Sequence, residues 1–164
     1  MKRIVSICAI LAMVFTVIGC SGETKEPTSN NQDVAIEMNR FDGEFVSLDY
    51  SDSWIVSEDA TYQMVNLEKK GSSFYILMKL EKESFKDAET AVSDFAQTYG
   101  GTPAELITYG DNNYYQTSFE YGGFEQTMLV NMKDENKLTI TLQGNGHADD
   151  ESMKEILNSI VLNY

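Results

Sequence analysis

Between residues 46 and 143 apolar and polar positions alternate with a period of two, and the alternation breaks once into helical spacing. Val46, Leu48 and Tyr50 alternate with Ser47 and Asp49 and lead through the turn-prone Ser51-Asp52-Ser53 to Trp54, which predicts a strand running into a bend. Residues 62–68 and 74–80 flank a turn at Lys70-Gly71-Ser72, with Phe74, Ile76, Met78 and Leu80 on one face, the pattern of a hairpin. Ala88, Ala91, Val92, Phe95, Ala96 and Tyr99 then form the apolar stripe of an amphipathic helix, with Asp87 placed to cap its start and Gly100-Gly101 to end it. After Pro103, strands are predicted over 105–109, 114–121, 124–132 and 138–143. They are joined by turns at Gly110-Asp111-Asn112-Asn113, Gly122-Gly123 and Asp134-Glu135-Asn136. Met153, Ile156, Leu157, Ile160 and Val161 return to helical spacing, with Asp149 or Asp150 as the cap. Short connections favour antiparallel neighbours. The order therefore predicts an α+β fold, a mostly antiparallel sheet with helices packed on it.

The first twenty residues follow a different rule. Lys2 and Arg3 precede an apolar run over 4–18 that is shorter than the roughly 20 residues a membrane-spanning helix needs, and Val17-Ile18-Gly19-Cys20 closes it. This ending resembles the bacterial lipobox. The resemblance implies that residues 1–19 are a lipoprotein signal peptide, removed in the mature protein, and that the Cys20 thiol carries a diacylglycerol with a further acyl chain on the new amine. Two or three chains, at roughly 0.8 kcal/mol per buried CH₂, anchor a protein where one gives only marginal binding. Ser21 to Asp33 is polar, contains Pro27 and has no apolar cluster, so residues 20–33 read as the lipidated Cys and a disordered tether. Thirteen flexible residues reach about 20 Å. Residues 34–164 suit one α+β domain with a single core.

Cys8 lies in the signal and Cys20 at the anchor, so the folded part contains no cysteine for a disulfide or a thiolate metal site. Loss of Lys2 and Arg3 leaves ten basic residues against twenty-six acidic ones, a mature charge near −16. Such a surface has no basic patch to displace counterions from phosphates, which excludes nucleic acid as a partner. The run FVSLDYSDSW at 45–54, the segment KDAETAVSDFAQ at 86–97 and the ending EILNSIVL at 155–162 resemble the PsbP/Mog1-like domains found in small bacterial lipoproteins. That resemblance implies an α/β/α sandwich around an antiparallel sheet. Its better-known members dock to larger protein assemblies and share no catalytic set, so it also implies a binding or accessory role.

Candidate chemistry is sparse. His147, the only histidine, sits in the loop Gly144-Asn145-Gly146-His147-Ala148-Asp149, and no Gly-x-Ser-x-Gly elbow accompanies it, so it reads as an exposed loop residue. One histidine without a usable cysteine argues against zinc. Calcium uses oxygen ligands and is the one cofactor left open. Asn145 with Asp149, Asp150 and Glu151, or Asp111 with Asn112 and Asn113, would have to gather around it, and neither group has the spacing of a calcium loop. Tyr109, Tyr114, Tyr115, Phe119, Tyr121 and Phe124 crowd one sheet region and form the candidate ligand or partner surface. Two functional readings follow. The first is a lipid-anchored, non-catalytic binding or accessory module on the extracytoplasmic face of the cell membrane, or on the outer membrane if the source has one. Its partner would be an envelope protein or a small ligand. The alternative is an exported hydrolase that cleaves envelope polymers with a close carboxylate pair of raised pKa.

Overall fold

Ten strands and two helices organise the chain, as seen in a computed structural model that describes residues 37–83 and 87–164, all within the unit Ala35–Tyr164. The predicted signal peptide, Cys20 and the tether lie outside the described residues. The central sheet contains seven strands in the order β3(Trp54–Asp59), β4(Met64–Lys69), β5(Tyr75–Lys82), β9(Asn136–Gln143), β8(Phe124–Lys133), β7(Asn112–Tyr121) and β6(Glu105–Tyr109), and every neighbouring pair is antiparallel. A smaller antiparallel sheet joins β1(Met38–Asp42), β2(Val46–Ser51) and β10(Val161–Leu162). The fold is thus α+β, dominated by antiparallel sheet, with a helix on each side.

Period-two alternation assigns the two faces of the central sheet. Val65, Leu67, Ile76, Met78, Leu80, Leu129, Leu138, Ile140 and Leu142 point to one side and share a dry core with Phe45, Val46 and Leu48 of the small sheet region and with Met153, Ile156 and Leu157 of α2(Glu151–Ser159). The other face carries α1(Ala88–Tyr99), which packs mainly on β7 and β8 and buries Val92 against Met128 and Val130. The Asp87 carboxylate accepts from the Thr90 N–H at 2.7 Å, and Gly100 takes the left-handed conformation at φ 69° that ends the helix, as the sequence predicts.

Several elements differ from the sequence expectation. Strands β1 and β3 carry no clean alternation, with charged residues at Arg40, Asp42, Glu58 and Asp59, and only their pairing reveals them. The turn before β7 uses Gly110-Asp111 alone, so Asn112 and Asn113 are strand residues. Val161 does not continue α2. The helix stops at Ser159, Ile160 turns extended at ψ 126°, and the freed residues pair with Ser47 and Val46 of β2. The helical spacing of Ile160 and Val161 is therefore accidental, and the half-exposed Val161 side chain reflects it.

One node fastens α2 to the sheet. Asp150 is its N-cap, accepting from the Met153 N–H at 3.0 Å and the Ser152 hydroxyl at 2.5 Å, and it pairs with Lys69 of β4. Lys69 in turn lies over the rings of Trp54 and Phe74, and the Trp54 indole N–H donates to the Ser152 hydroxyl at 3.1 Å. Burial pushes the Asp150 carboxyl up, but Lys69, Ser152 and the Met153 N–H outweigh it and hold the group below its ordinary 3.8. A depressed carboxyl pKa contributes stability above the unfolded-state value and loses it as pH falls through the folded-state value. Asp150→Ala removes both cap and ion pair and is expected to cost about 2 kcal/mol at pH 7. Asp150→Asn keeps the cap and is expected to cost about half of that. The difference between wild type and Asp150→Asn should vanish in urea melts followed by Trp54 fluorescence as the pH is taken well below 4.

Candidate functional site

The six predicted aromatic residues, on β6, β7 and β8, divide between the two faces of the sheet. Tyr114 is fully buried in the large core, and Tyr109 packs beside it with ring centroids 6.4 Å apart. The alternation of β7 sends Tyr114 inward, so these two do not belong to an exposed row. Tyr115 faces α1 near its first turn, where the Glu89 carboxylate raises the pKa of its hydroxyl. Phe119, Tyr121 and Phe124 remain on the α1 side, at the far end of the β7–β8 ribbon.

There they meet two residues that the sequence placed only in the helix stripe. Phe95 and Tyr99, one turn apart at the end of α1, stack at 4.3 Å between centroids. Phe119 lies 5.1 Å from Phe95 and 5.8 Å from Tyr99, and Tyr121 meets Tyr99 edge-on at 6.0 Å. The cluster is packed within itself yet open outward, with Tyr99 45% exposed, Tyr121 60% and Phe124 36%. Gly122 and Gly123, at φ 64° and 82°, make the tight two-residue turn that sets this register. It places Tyr121 opposite Phe124 on one face of the ribbon and Glu120 opposite Glu125 on the other.

Beside α1, a cleft of about 280 Å³ runs along the sheet, walled by Ala91, Asp94 and Phe95 and floored by Met128, Val130 and Lys137. The Lys137 ammonium donates to Glu83 at 2.5 Å and lies 3.4 Å from Glu81. Lys79 and then Lys137 hold the Glu81 carboxyl below its usual range, although partial burial opposes them. This cleft opens onto the part of the sheet that α1 leaves uncovered.

His147 is buried rather than exposed. Its Nδ1 lies 2.8 Å from the Gly144 carbonyl, which can only accept, so Nδ1 carries the proton. In the neutral ring Nε2 then accepts from the Thr127 hydroxyl at 2.8 Å, and Thr127 accepts from Ser118 at 2.8 Å. A hydroxyl chain thus ends on imidazole, but behind the ring stands a backbone carbonyl instead of the carboxylate that stabilises an imidazolium in a triad. The arrangement ties the loop to β8. The oxygen-rich loops are likewise committed. Asp150 caps α2, the Asn145 side chain accepts from the Glu125 N–H at 3.1 Å, the Asn112 amide donates to the Ile160 carbonyl at 2.8 Å, and the Asn113 side chain accepts from Thr108 at 2.7 Å. Among the described residues no three His, Cys, Asp or Glu side chains gather around a common point.

Comparison with known proteins finds likeness of fold only. No family model matches the chain. No curated protein matches it either. Among solved structures, a protein of Bacteroides thetaiotaomicron superposes with a TM-score of 0.55 at 11% identity, over 76% of this chain and 48% of that one. The chain therefore spans about half the length of that structure. The cyanobacterial PsbP of Synechocystis is similar at a TM-score of 0.49 and 13% identity, covering 88% of this chain and 98% of its own. The Ran-binding protein Mog1p of Saccharomyces cerevisiae is similar at 0.49 and 8%, covering 79% and 97%.

The Tyr114 hydroxyl makes no hydrogen bond to any described protein group although its residue is fully buried, and burial pushes its pKa far up. Nearby Tyr164 is pushed up to about 12 by the same cause. A buried hydroxyl without a partner costs free energy that its ring must offset. Tyr114→Phe is therefore expected to leave stability unchanged or raise it by up to about 1 kcal/mol, measured as the urea midpoint. A loss comparable to that of a core cavity, about 2 kcal/mol or more, would show that the hydroxyl has a partner after all.

Proposed function

We propose that the protein is a membrane-anchored extracytoplasmic lipoprotein whose single domain is a non-catalytic binding or accessory module. The observation that supports this reading most is the exposed aromatic cluster of Phe95, Tyr99, Phe119 and Tyr121. Exposed rings grouped in this way mark surfaces that receive a partner. The one histidine has both ring nitrogens in hydrogen bonds, one of them to a backbone carbonyl. The hydrolase reading requires a carboxyl held above its ordinary value. The Glu81 and Asp150 carboxyls are instead held below their ordinary values.

Attachment rests on Cys20. No helix among the described residues is long and apolar enough to cross a membrane, and the lipobox-like ending supplies an acyl anchor instead. If the source has an outer membrane, Ser21 after the cysteine directs the protein to it; with one membrane, it stays there. Cys20→Ala is expected to abolish acylation and leave the chain unprocessed, while mass spectrometry of the wild type should find a mature N-terminus at Cys20 carrying acyl chains. An unmodified Cys20 at that terminus would overturn the anchor. The module reading is tested by cross-linking and recovery from membranes, and it fails if the anchored domain brings down neither protein nor small ligand.

A further inference from the structure

The tip of the β7–β8 ribbon breaks two local rules at once. Beyond Gln126 the ribbon loses its β9 neighbour, since the last β9 residue, Gln143, pairs with Gln126, and β6 reaches only as far as Gln116 on the other side. Past these points no strand among the described residues flanks the ribbon, and the loop over 144–146 bonds Glu125 in its place. On one face the overhang exposes Tyr121 and Phe124, continuous with Tyr99; on the other it sets Glu120 directly opposite Glu125. Exposed rings forgo burial, and like charges facing each other across a ladder cost stability. Glu125 spends one oxygen on the Gly146 N–H at 2.7 Å, and no ion pair satisfies either glutamate among the described residues. Violations of local preference of this kind concentrate where a partner compensates them.

From this tip we infer the chemistry of the partner that the proposed binding module receives: a segment of another protein carrying arginine or lysine between apolar residues, which straddles the β7–β8 overhang. One cationic side chain seats between Glu120 and Glu125, relieving their repulsion with charge-assisted hydrogen bonds. Its apolar or guanidinium neighbours cover Tyr99, Tyr121 and Phe124, where ring faces attract cations as well as apolar groups. A second copy of this chain is the wrong occupant, because two domains of this acidity repel. The inference rests on the module reading but is separable from it.

The experiment uses the full mature chain in detergent micelles and two synthetic probes, a peptide alternating arginine with leucine and its glutamate–leucine counterpart, with affinity measured by calorimetry at low and at physiological salt. The arginine peptide is expected to bind and the glutamate peptide not. The exposed double variant Tyr121→Ser with Phe124→Ser, and separately Glu120→Gln, should each weaken binding at least ten-fold. Glu58→Gln with Asp59→Asn, which removes two charges from β3 at the opposite edge of the sheet, should change it less than two-fold. Equal weakening by the β3 control would mean that only the overall charge attracts the peptide, and the inference falls. An undiminished affinity of both tip variants also overturns it, while leaving the module reading to the membrane recovery described above. Without any probe, Glu120→Gln is expected to raise the urea midpoint; an unchanged or lowered midpoint removes the like-charge premise.

Discussion

A seven-stranded sheet has two faces, and this chain can dry only one of them. Among the described residues, eighteen buried side chains form the core shared by the central sheet, the small sheet and α2, whereas the cluster beneath α1 joins only Val92 of the helix to Met128 and Val130 of β8. The inequality is a matter of length. A helix of twelve residues runs about 18 Å at 1.5 Å per residue and is about 10 Å wide, enough to roof two strands spaced 4.7–4.9 Å apart but not seven. The boundary of that roof carries the cleft beside α1 and the aromatic cluster at the helix end.

That boundary explains why Phe95 and Tyr99 are both structural and exposed. Phe95 seals the end of the minor core by its contact with Phe119, and Tyr99 stacks on its outer side because no further helical turn follows Gly100. Offset and edge-to-face ring pairs of this kind contribute roughly 0.5–1.5 kcal/mol beyond their burial. The cluster is thus stable enough to stand without a partner. It remains apolar enough to gain from one.

The strength of each sequence signal decided what could be read from it. Strands β5 and β9 and both helices were legible because one face of each element is dry, which imposes alternation or a stripe, whereas β8 is buried on both faces from Thr127 to Val130. The Asp87 cap was legible too, and the second cap only as Asp149 or Asp150. Strands β1 and β3 were not, because edge strands with one wet side accept charge. The aromatic site was half legible. Phe119, Tyr121 and Phe124 could be named from their crowding, but a crowded list cannot say which members alternate inward, and Tyr114 did. Tyr99 and Phe95 were hidden by belonging equally well to a core stripe. Around Gly122-Gly123 the sequence Glu-Tyr-Gly-Gly-Phe-Glu is symmetric, and a two-residue turn places its glutamates, Glu120 and Glu125, opposite each other by register alone.

His147 finds its place in the same corner of the molecule. The Gly144 N–H donates to the Glu125 carbonyl at 3.0 Å, Asn145 accepts from the Glu125 N–H, and the Glu125 carboxylate accepts from Gly146, so three successive loop residues grip one residue of the overhang. His147 locks that loop from inside by bonding Gly144 with one ring nitrogen and Thr127 of β8 with the other. A two-stranded ribbon without flanking strands is flexible on its own. Braced by a buried imidazole it becomes a fixed platform, and a fixed platform loses less ordering entropy when it binds. The single histidine, which invites a catalytic reading in the sequence, thus acts through Glu125 on the shape of the proposed docking edge. The buried hydroxyl chain behind it serves that support.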